Sequence, residues 1–280
     1  MPETLRYIAP AKINLGLEIL RRRPDGYHEL RTIFYRVLEP HDSMEVTPSE
    51  NFRFTCTDES LPVDDRNLVM RAARLFSEST GLDLPPIHVH LEKRIPAQAG
   101  LGGGSSDAAT MIRILKDVNS HSLKGHEDTA RQPVNGSRIG ADVPFFLSES
   151  RAALATGIGD ILTPIELELS SSILIVVDPT IHVSTREAYD GLDPSSFLRS
   201  ELSVLPRLEK GGGVRNDFES SIFARHPRLG IIKGSMYERG AYFALMTGSG
   251  SAVYGLFHNT EEALSACRDF MYEGLQAFLS

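Results

Sequence analysis

Apolar and polar residues alternate over residues 12–20, where Ile13, Leu15, Leu17 and Ile19 share one face and Lys12, Asn14, Gly16 and Glu18 the other. A period of two turns one face of a strand toward a core and leaves the other polar. Shorter β-rich runs follow at residues 32–38, 52–56 and 87–91, so the chain begins as a sheet. Between Asp65 and Gly81 the period becomes helical. Leu68, Ala72, Leu75 and Phe76 share a face there, and Gly81 permits a left-handed C-cap. A second helix is predicted from about residue 104, with Ala108, Met111, Ile112 and Leu115 at helical spacing, and its apolar face must pack on that sheet.

Residues 117–138 hold few apolar residues and no clear period, which predicts mostly irregular or mobile structure. Beyond Leu154 a glycine-bounded turn, GIGD, leads through ILTPIE to the aliphatic run at residues 173–177, which Pro179 ends. A domain change is expected near residue 160, dividing the chain into residues 1–160 and 161–280. Helical signals at residues 184–190, 217–225 and 261–271, with strands at 242–246 and 252–257, suggest a second α+β layer.

Composition narrows the function classes. The 37 Asp and Glu outnumber the 29 Lys and Arg, leaving a net charge of -8 on 280 residues. That balance argues against a nucleic-acid surface or an anionic membrane as partner, although a basic patch inside a cleft remains compatible with it. Cys56 and Cys267 lie far apart and outside any metal-ligand spacing, so neither a disulfide framework nor a structural zinc site is indicated. No apolar run is long enough for a membrane helix, and no apolar signal stretch opens the chain, so a cytoplasmic protein is expected.

The most informative segment runs through residues 95–109, IPAQAGLGGGSSDAA. Pro96, Ala97, Gln98 and Ala99 lead into Gly100, Leu101, Gly102, Gly103 and Gly104, and Ser105 and Ser106 open an amphipathic helix. Such a loop can line a concave anion site with backbone N–H groups at the positive end of the following helix, and phosphate is its natural guest. Ser105 and Ser106 could cap the helix, donate to phosphate oxygens or hold Mg²⁺. A glycine cluster can also merely connect a strand to a helix. The segment is not a Walker A loop, lacks the context of a dinucleotide fingerprint, and has no protein-kinase signature beside it.

GLGGGSSDAA, PAKINLGLEIL and TGSGSAV together resemble, in order and spacing, the three motifs of the GHMP kinase superfamily. RRPDGYHELRTIF, IGADVPFFL and GIGDILTPI are similar to the branch of that superfamily whose substrate is a cytidine diphosphate methylerythritol. The resemblance is close over residues 9–165 and reaches the C-terminal end through VRNDFE and MTGSGSAVYG. It implies a two-domain α+β fold, with an N-terminal domain containing a left-handed βαβ crossover and a C-terminal ferredoxin-like domain. It also implies phosphorylation of the tertiary 2-hydroxyl of that substrate, with ATP and Mg²⁺, in non-mevalonate isoprenoid precursor biosynthesis.

Transferred residue by residue, Asp142 in GADVPFF would accept the hydroxyl proton, and Lys12 in PAKINLG would offset the developing negative charge. Seen alone, the first reads as a turn or cap residue and the second as a solvated charge. The DGYH turn would meet the cytosine, with Tyr27 offering a stacking face and His28 a ring nitrogen and backbone groups. Asn14 would orient the methylerythritol hydroxyls. Thr185 matches a substrate-contacting threonine, yet Ser184 and Glu187 are spaced as a capping box around it. Gly248 and Ser249, in the third motif, would contact substrate or phosphate, although a plain hairpin turn explains the same residues. No histidine pair makes a credible metal site. Asp107, so near the phosphates, is expected to serve the helix N-terminus. A kinase for another alcohol and a silent nucleotide-binding regulator are the rival readings. The expected partner is the small cytidine diphosphate substrate, with neither nucleic acid nor membrane, and the chain is expected to be a monomer or weak homodimer.

Overall fold

A computed structural model describes residues 4–120, 134–193 and 214–280. Two compact units emerge, each assembled from separate stretches of chain. One unit takes the residues before Lys12, His41–Ile95 and Gly102–Glu149; the other takes Lys12–Pro40, Pro96–Leu101 and Ser150–Ser280.

In the first unit, strand β3 (Arg53–Cys56) and strand β4 (Ile87–Glu92) pair in parallel, joined by helix α1 (Leu68–Thr80) in a βαβ arrangement. The later part of strand β2 (His28–Pro48) pairs antiparallel with β4, Ser43 facing Glu92 and Pro48 facing Ile87. Ile87, Val89 and Leu91 of β4 are buried while His88, His90 and Glu92 alternate with them on the half-buried face. Helix α1 starts where the Asn67 side chain accepts from Val69 N and stops at Gly81, which has φ +70°. Helix α2 (Gly103–Val118) packs on α1 through the apolar stripe expected for it. Helix α3 (Val143–Leu147) packs against α2 and had no helical signal of its own, being only five residues long.

In the second unit, strand β1 (Leu5–Arg22), from Lys12 onward, carries the alternating residues. The early part of β2 pairs antiparallel with strand β5 (Ala152–Thr156), and β5 with strand β6 (Ile161–Ile165). A separate four-stranded antiparallel sheet has the order β10-β7-β9-β8, from strands β7 (Ser172–Val177), β8 (Phe243–Met246), β9 (Val253–Phe257) and β10 (Gln276–Leu279). Numbered within itself that order is 4-1-3-2, the ferredoxin-like arrangement. Helices α4 (Thr185–Asp190), α5 (Glu219–Arg225) and α6 (Pro227–Glu238) lie between β7 and β8 in the chain, and α7 (Thr260–Tyr272) lies between β9 and β10. Leu229, Ile232 and Met236 of α6 join Phe257, Phe270 and Leu174 in one buried cluster.

Several elements exceed their sequence signals. The run at residues 32–38 is part of a 21-residue strand that passes through Pro40. This proline falls between the pairing with β5, which ends at Tyr35, and the pairing with β4, which starts at Ser43, so neither ladder loses a hydrogen bond. Helix α6 escaped notice because Gly230 and Gly234 weaken its propensity by about 1 kcal/mol each; burial of its apolar face restores it. Of residues 117–138, expected to be irregular, the first two end α2 and Gly136–Arg138 form a 3-10 turn capped by Asn135; residues 121–133, with His121 and His126, lie outside the described residues. Among the described residues no helix is long and apolar enough to cross a membrane.

Candidate active site

The second unit gathers the first motif, the head of the glycine segment up to Leu101 and the third motif into one hydrogen-bonded assembly. Lys12 is buried on β1, and its backbone N–H donates to Leu101 O at 3.0 Å. Its Nζ donates to Asn14 Oδ1 at 2.6 Å and lies 5.1 Å from the centre of the Phe34 ring. A buried ammonium needs such partners, because an unpaired one would cost far more than folding could supply.

Asn14 is held on every side. Its Nδ2 donates to Thr32 Oγ1 at 2.9 Å, and the Thr32 hydroxyl spends its own hydrogen on Gly16 O. That polarity leaves Asn14 Oδ1 facing the ammonium. Asn14 N–H donates to Thr247 Oγ1 at 2.9 Å, and its carbonyl accepts from Tyr254 Oη at 3.1 Å.

The third motif forms the turn between β8 and β9, where Gly250 N donates to Thr247 O at 2.9 Å. Gly100 has φ +75°, and a Cβ there would lie 2.2 Å from Thr247 O, a distance no side chain tolerates. Gly248 answers it from the other side, where a Cβ would stand 3.1 Å from Gly100 O. Ala252 N donates to Ala99 O at 3.1 Å. The glycines therefore exist to let two turns touch backbone to backbone, with Gly248 buried and Ser249 half-buried. Pro96, Ala97 and Gln98 precede this contact in the chain, Ala97 and Gln98 exposed and Gln98 in the left-handed region at φ +53°.

In the first unit the remainder of the glycine segment opens α2. Gly102, at φ +73°, is the N-cap and brings no side chain to the first-turn N–H groups. Ser105 and Ser106 stand inside the helix with Gly103 and Gly104, so neither is the cap. Ser106 Oγ is fully buried and has no hydrogen-bond partner among the described residues. An uncapped helix N-terminus and an orphaned buried hydroxyl suit the phosphates of a nucleotide. Asp142 lies in a turn at the N-cap position of α3, and its carboxylate does not cap that helix.

Asp107 departs from expectation. Its carboxylate serves no helix terminus: Oδ2 accepts from Lys93 Nζ at 2.7 Å, and Lys93 Nζ also pairs with Asp42. Asp42 in turn accepts from Ile95 N at 2.8 Å. Burial, with Asp42 adding to it and Lys93 opposing, pushes the Asp107 carboxyl up to about 8. Burial works against charge on Lys93, but Asp107 and Asp42 outweigh it and raise its pKa. Asp42 and Lys93 were not anticipated; the one available signal was a lysine closing β4 just before the glycine segment.

The DGYH turn is shaped by Asp25, whose Oδ1 accepts from Tyr27 N at 3.1 Å, and by Gly26 at φ +87°. Tyr27 is 61% exposed, its ring face open. His28 stacks on Tyr189 with ring centres 4.9 Å apart and planes at 22°. Burial, then Arg22, lowers the His28 pKa, so the ring is neutral near pH 7. Tyr189, on α4, is a further aromatic of this region that sequence reasoning missed. Thr185 is exposed at the first position of α4, where Ser184 Oγ accepts from Glu187 N at 3.1 Å, so Ser184 caps the helix, while Glu187 Oε1 meets His226 Nε2 at 3.0 Å. His88 Nε2 and His90 Nδ1 both meet Thr55 Oγ1, at 2.7 and 2.8 Å.

A glycine turn abutting a glycine loop beside a buried lysine, above a ferredoxin-like sheet, defines a class, the GHMP kinases. The family model described as GHMP kinases N terminal domain matches residues 67–150, and GHMP kinases C terminal matches residues 203–273. A crystal structure of homoserine kinase from Cytophaga hutchinsonii, 15% identical, has a TM-score of 0.69 and covers 100% of this chain and 94% of its own, which shows the fold alone. The 4-diphosphocytidyl-2-C-methyl-D-erythritol kinase of Parabacteroides distasonis is 43% identical over 274 residues, 94% of this chain and 97% of the relative. A crystal structure of 4-(cytidine 5'-diphospho)-2C-methyl-D-erythritol kinase has a TM-score of 0.82 at 34% identity and covers 99% of both chains. The chain belongs to the 4-diphosphocytidyl-2-C-methyl-D-erythritol kinase family.

Proposed function

We propose that this chain transfers the γ-phosphoryl group of ATP to the 2-hydroxyl of 4-diphosphocytidyl-2-C-methyl-D-erythritol, releasing ADP and the 2-phosphate, in non-mevalonate isoprenoid precursor biosynthesis. The observation that carries this reading is the joining, within one unit, of the first motif, the head of the glycine segment and the third motif, through Lys12 N to Leu101 O, Ala252 N to Ala99 O and Asn14 N to Thr247 Oγ1.

A tertiary hydroxyl attacks phosphorus only if its proton has an acceptor, and Asp142 supplies the carboxylate. Lys12 offsets the negative charge that grows on the attacking and transferred oxygens, and Asn14 fixes where its ammonium stands. The residues from Pro96 to Ser106 hold the nucleotide phosphates through backbone N–H groups and the Ser106 hydroxyl. Mg²⁺, when bound, neutralises phosphate charge and favours in-line transfer. His28 reads the pyrimidine edge while Tyr27 lends a stacking face, Gly248 and Ser249 bring backbone N–H groups to the substrate, and Thr185 contributes a hydroxyl. We assign residues 1–160 to nucleotide binding and residues 161–280 to the second domain. We place the chain in the cytoplasm, as a monomer or weak homodimer that binds no nucleic acid.

ADP release with ATP and Mg²⁺ against a panel of the cytidine substrate, mevalonate and homoserine tests the reading. Turnover confined to the cytidine substrate is expected. Turnover of another alcohol alone would sink the substrate assignment, and nucleotide binding without any turnover would favour the silent regulator.

A further inference from the structure

We propose that Asn216 is a positioning residue for phosphoryl transfer, setting the glycine turn at residues 247–251 and, through Thr247, the placement of Asn14 and the Lys12 ammonium. The inference rests on the roles assigned above to Lys12 and Asn14.

Asn216 is buried, and its Nδ2 gives one hydrogen to Met246 O and the other to Gly248 O, both at 2.8 Å. Those carbonyls flank Thr247, so one amide grips the chain on either side of the residue that bonds Asn14. Its Oδ1 accepts from Phe218 N at 3.0 Å, which fixes the amide orientation. The segment bearing Asn216 is docked on β1. Leu17 N donates to Arg215 O at 2.8 Å, Asp217 N donates to Leu17 O at 2.9 Å, and Asp217 Oδ2 accepts from Ile19 N at 2.7 Å. The connections close a ring. It runs from Asn14 along β1 to Leu17, across to Asn216, through its amide to the turn, and back from Thr247 Oγ1 to Asn14 N.

Only a primary amide fits this post. Two carbonyl oxygens need two donors from one atom; a carboxylate would repel both, and a hydroxyl could satisfy one. Ordinary hairpin hydrogen bonding already closes the turn, since Thr247 N donates to Ala252 O at 3.0 Å. What the amide adds is a fixed position of Thr247 relative to β1, the strand that presents Lys12.

The test measures kcat and both KM values for Asn216→Asp, Thr247→Val, Thr247→Ser and the Asn216→Asp/Thr247→Val pair, well below each melting temperature. Ile232→Ala serves as a destabilised control in the C-terminal core, and Asp142→Asn as a test of the underlying site. Misplacing a catalytic group by a fraction of an ångström is expected to lower kcat of Asn216→Asp by roughly 10- to 100-fold with little change in either KM. Thr247→Val should lose a similar factor, Thr247→Ser should recover most of it, and the pair should lose far less than the product of the two. Ile232→Ala should melt earlier yet keep its kcat. A folded Asn216→Asp with kcat within about twofold of the parent, or losses that multiply in the pair, would overturn the proposal. If Asn216→Asp does not fold, the contrast of Thr247→Val with Thr247→Ser decides it. Parental turnover by Asp142→Asn would instead count against the site reading beneath it.

Discussion

Each unit buries a polar cluster, and the two are built on opposite terms. Around Asn14, the Lys12 ammonium meets an amide oxygen, and the bonds that hold this amide and the turn beside it come from amides, hydroxyls and carbonyls. Around Lys93, one ammonium faces the carboxyl groups of Asp42 and Asp107, and Asp107 Oδ1 is buried with no hydrogen-bond partner among the described residues. Neutral hydrogen bonds contribute only about 1 kcal/mol each but fix direction, so the first cluster offsets part of the cost of burying an ammonium and holds it in place. Charges must leave water to form the second, and removing one partner of such a buried pair costs about 3–5 kcal/mol. Placement is thus the work of the neutral cluster, while the ionic one is sensitive to protonation.

Replacing the charge at the centre of the neutral cluster should have the largest effect on rate. Lys12→Met is expected to lower kcat by roughly 10²–10³-fold with little loss of melting temperature, because methionine fills the space and asks for no hydrogen bond. Steady-state kinetics and circular dichroism check both halves. A variant as active as the parent would break the comparison.

The backbone contact that closes the neutral cluster offers a sharper probe. Gly100→Ala drives a Cβ toward Thr247 O and should cost about 3 kcal/mol, whereas Gly26→Ala, at a similar φ with nothing within 4 Å, should cost only the roughly 1–2 kcal/mol of the left-handed backbone. Denaturant titration of the two variants separates crowding from conformation.

The ionic cluster should reveal itself through pH. Asp107 binds its proton more tightly folded, near pH 8, than unfolded, near about pH 3.9. Between those values the folded chain carries the extra proton, so this group's contribution to stability is full below the lower value and falls as pH rises through the upper one. Asp107→Asn removes that dependence. Its melting temperature relative to the parent should climb as pH rises to about 8 and level off beyond. A pH-independent difference would show that no such proton is held.

The smallest expected effect lies at His28, whose lowered pKa keeps it neutral at pH 7. His28→Ala should raise KM for the cytidine substrate by roughly tenfold, the loss of about 1.4 kcal/mol, and leave KM for ATP alone. In the parent, KM for the cytidine substrate should rise only on acidification below the ordinary imidazole range.

The strand and the loop were legible because their signals are local, whereas the roles of Lys12 and Asp142 came from the resemblance to GHMP kinases. Lys12 and Asn14 sit two residues apart in a strand whose alternation is plain, and the glycines at residues 100–104 announce a loop whose backbone must approach something. What they approach was not legible. Gly100 meets Thr247 across a long stretch of chain, and Asp42 and Lys93 are 51 positions apart with no shared pattern. Asn216 carried no signal beyond the VRNDFE resemblance, since nothing in its neighbours says that two carbonyls wait for its amide. Tyr189 was hidden as the apolar side of a short helix, and the long strand β2 was broken in reading by a proline that sits between two ladders. Glycine-weakened α6 and four-residue β10 exist because of the core they cover, which no local window contains.

The most direct measurement is ADP release at saturating ATP, Mg²⁺ and 4-diphosphocytidyl-2-C-methyl-D-erythritol by the parent and by Asp142→Asn, with substrate binding followed separately by calorimetry. Loss of the proton acceptor should lower turnover by roughly 10²–10⁴-fold while the substrate still binds. Turnover by Asp142→Asn equal to that of the parent would contradict the assigned chemistry.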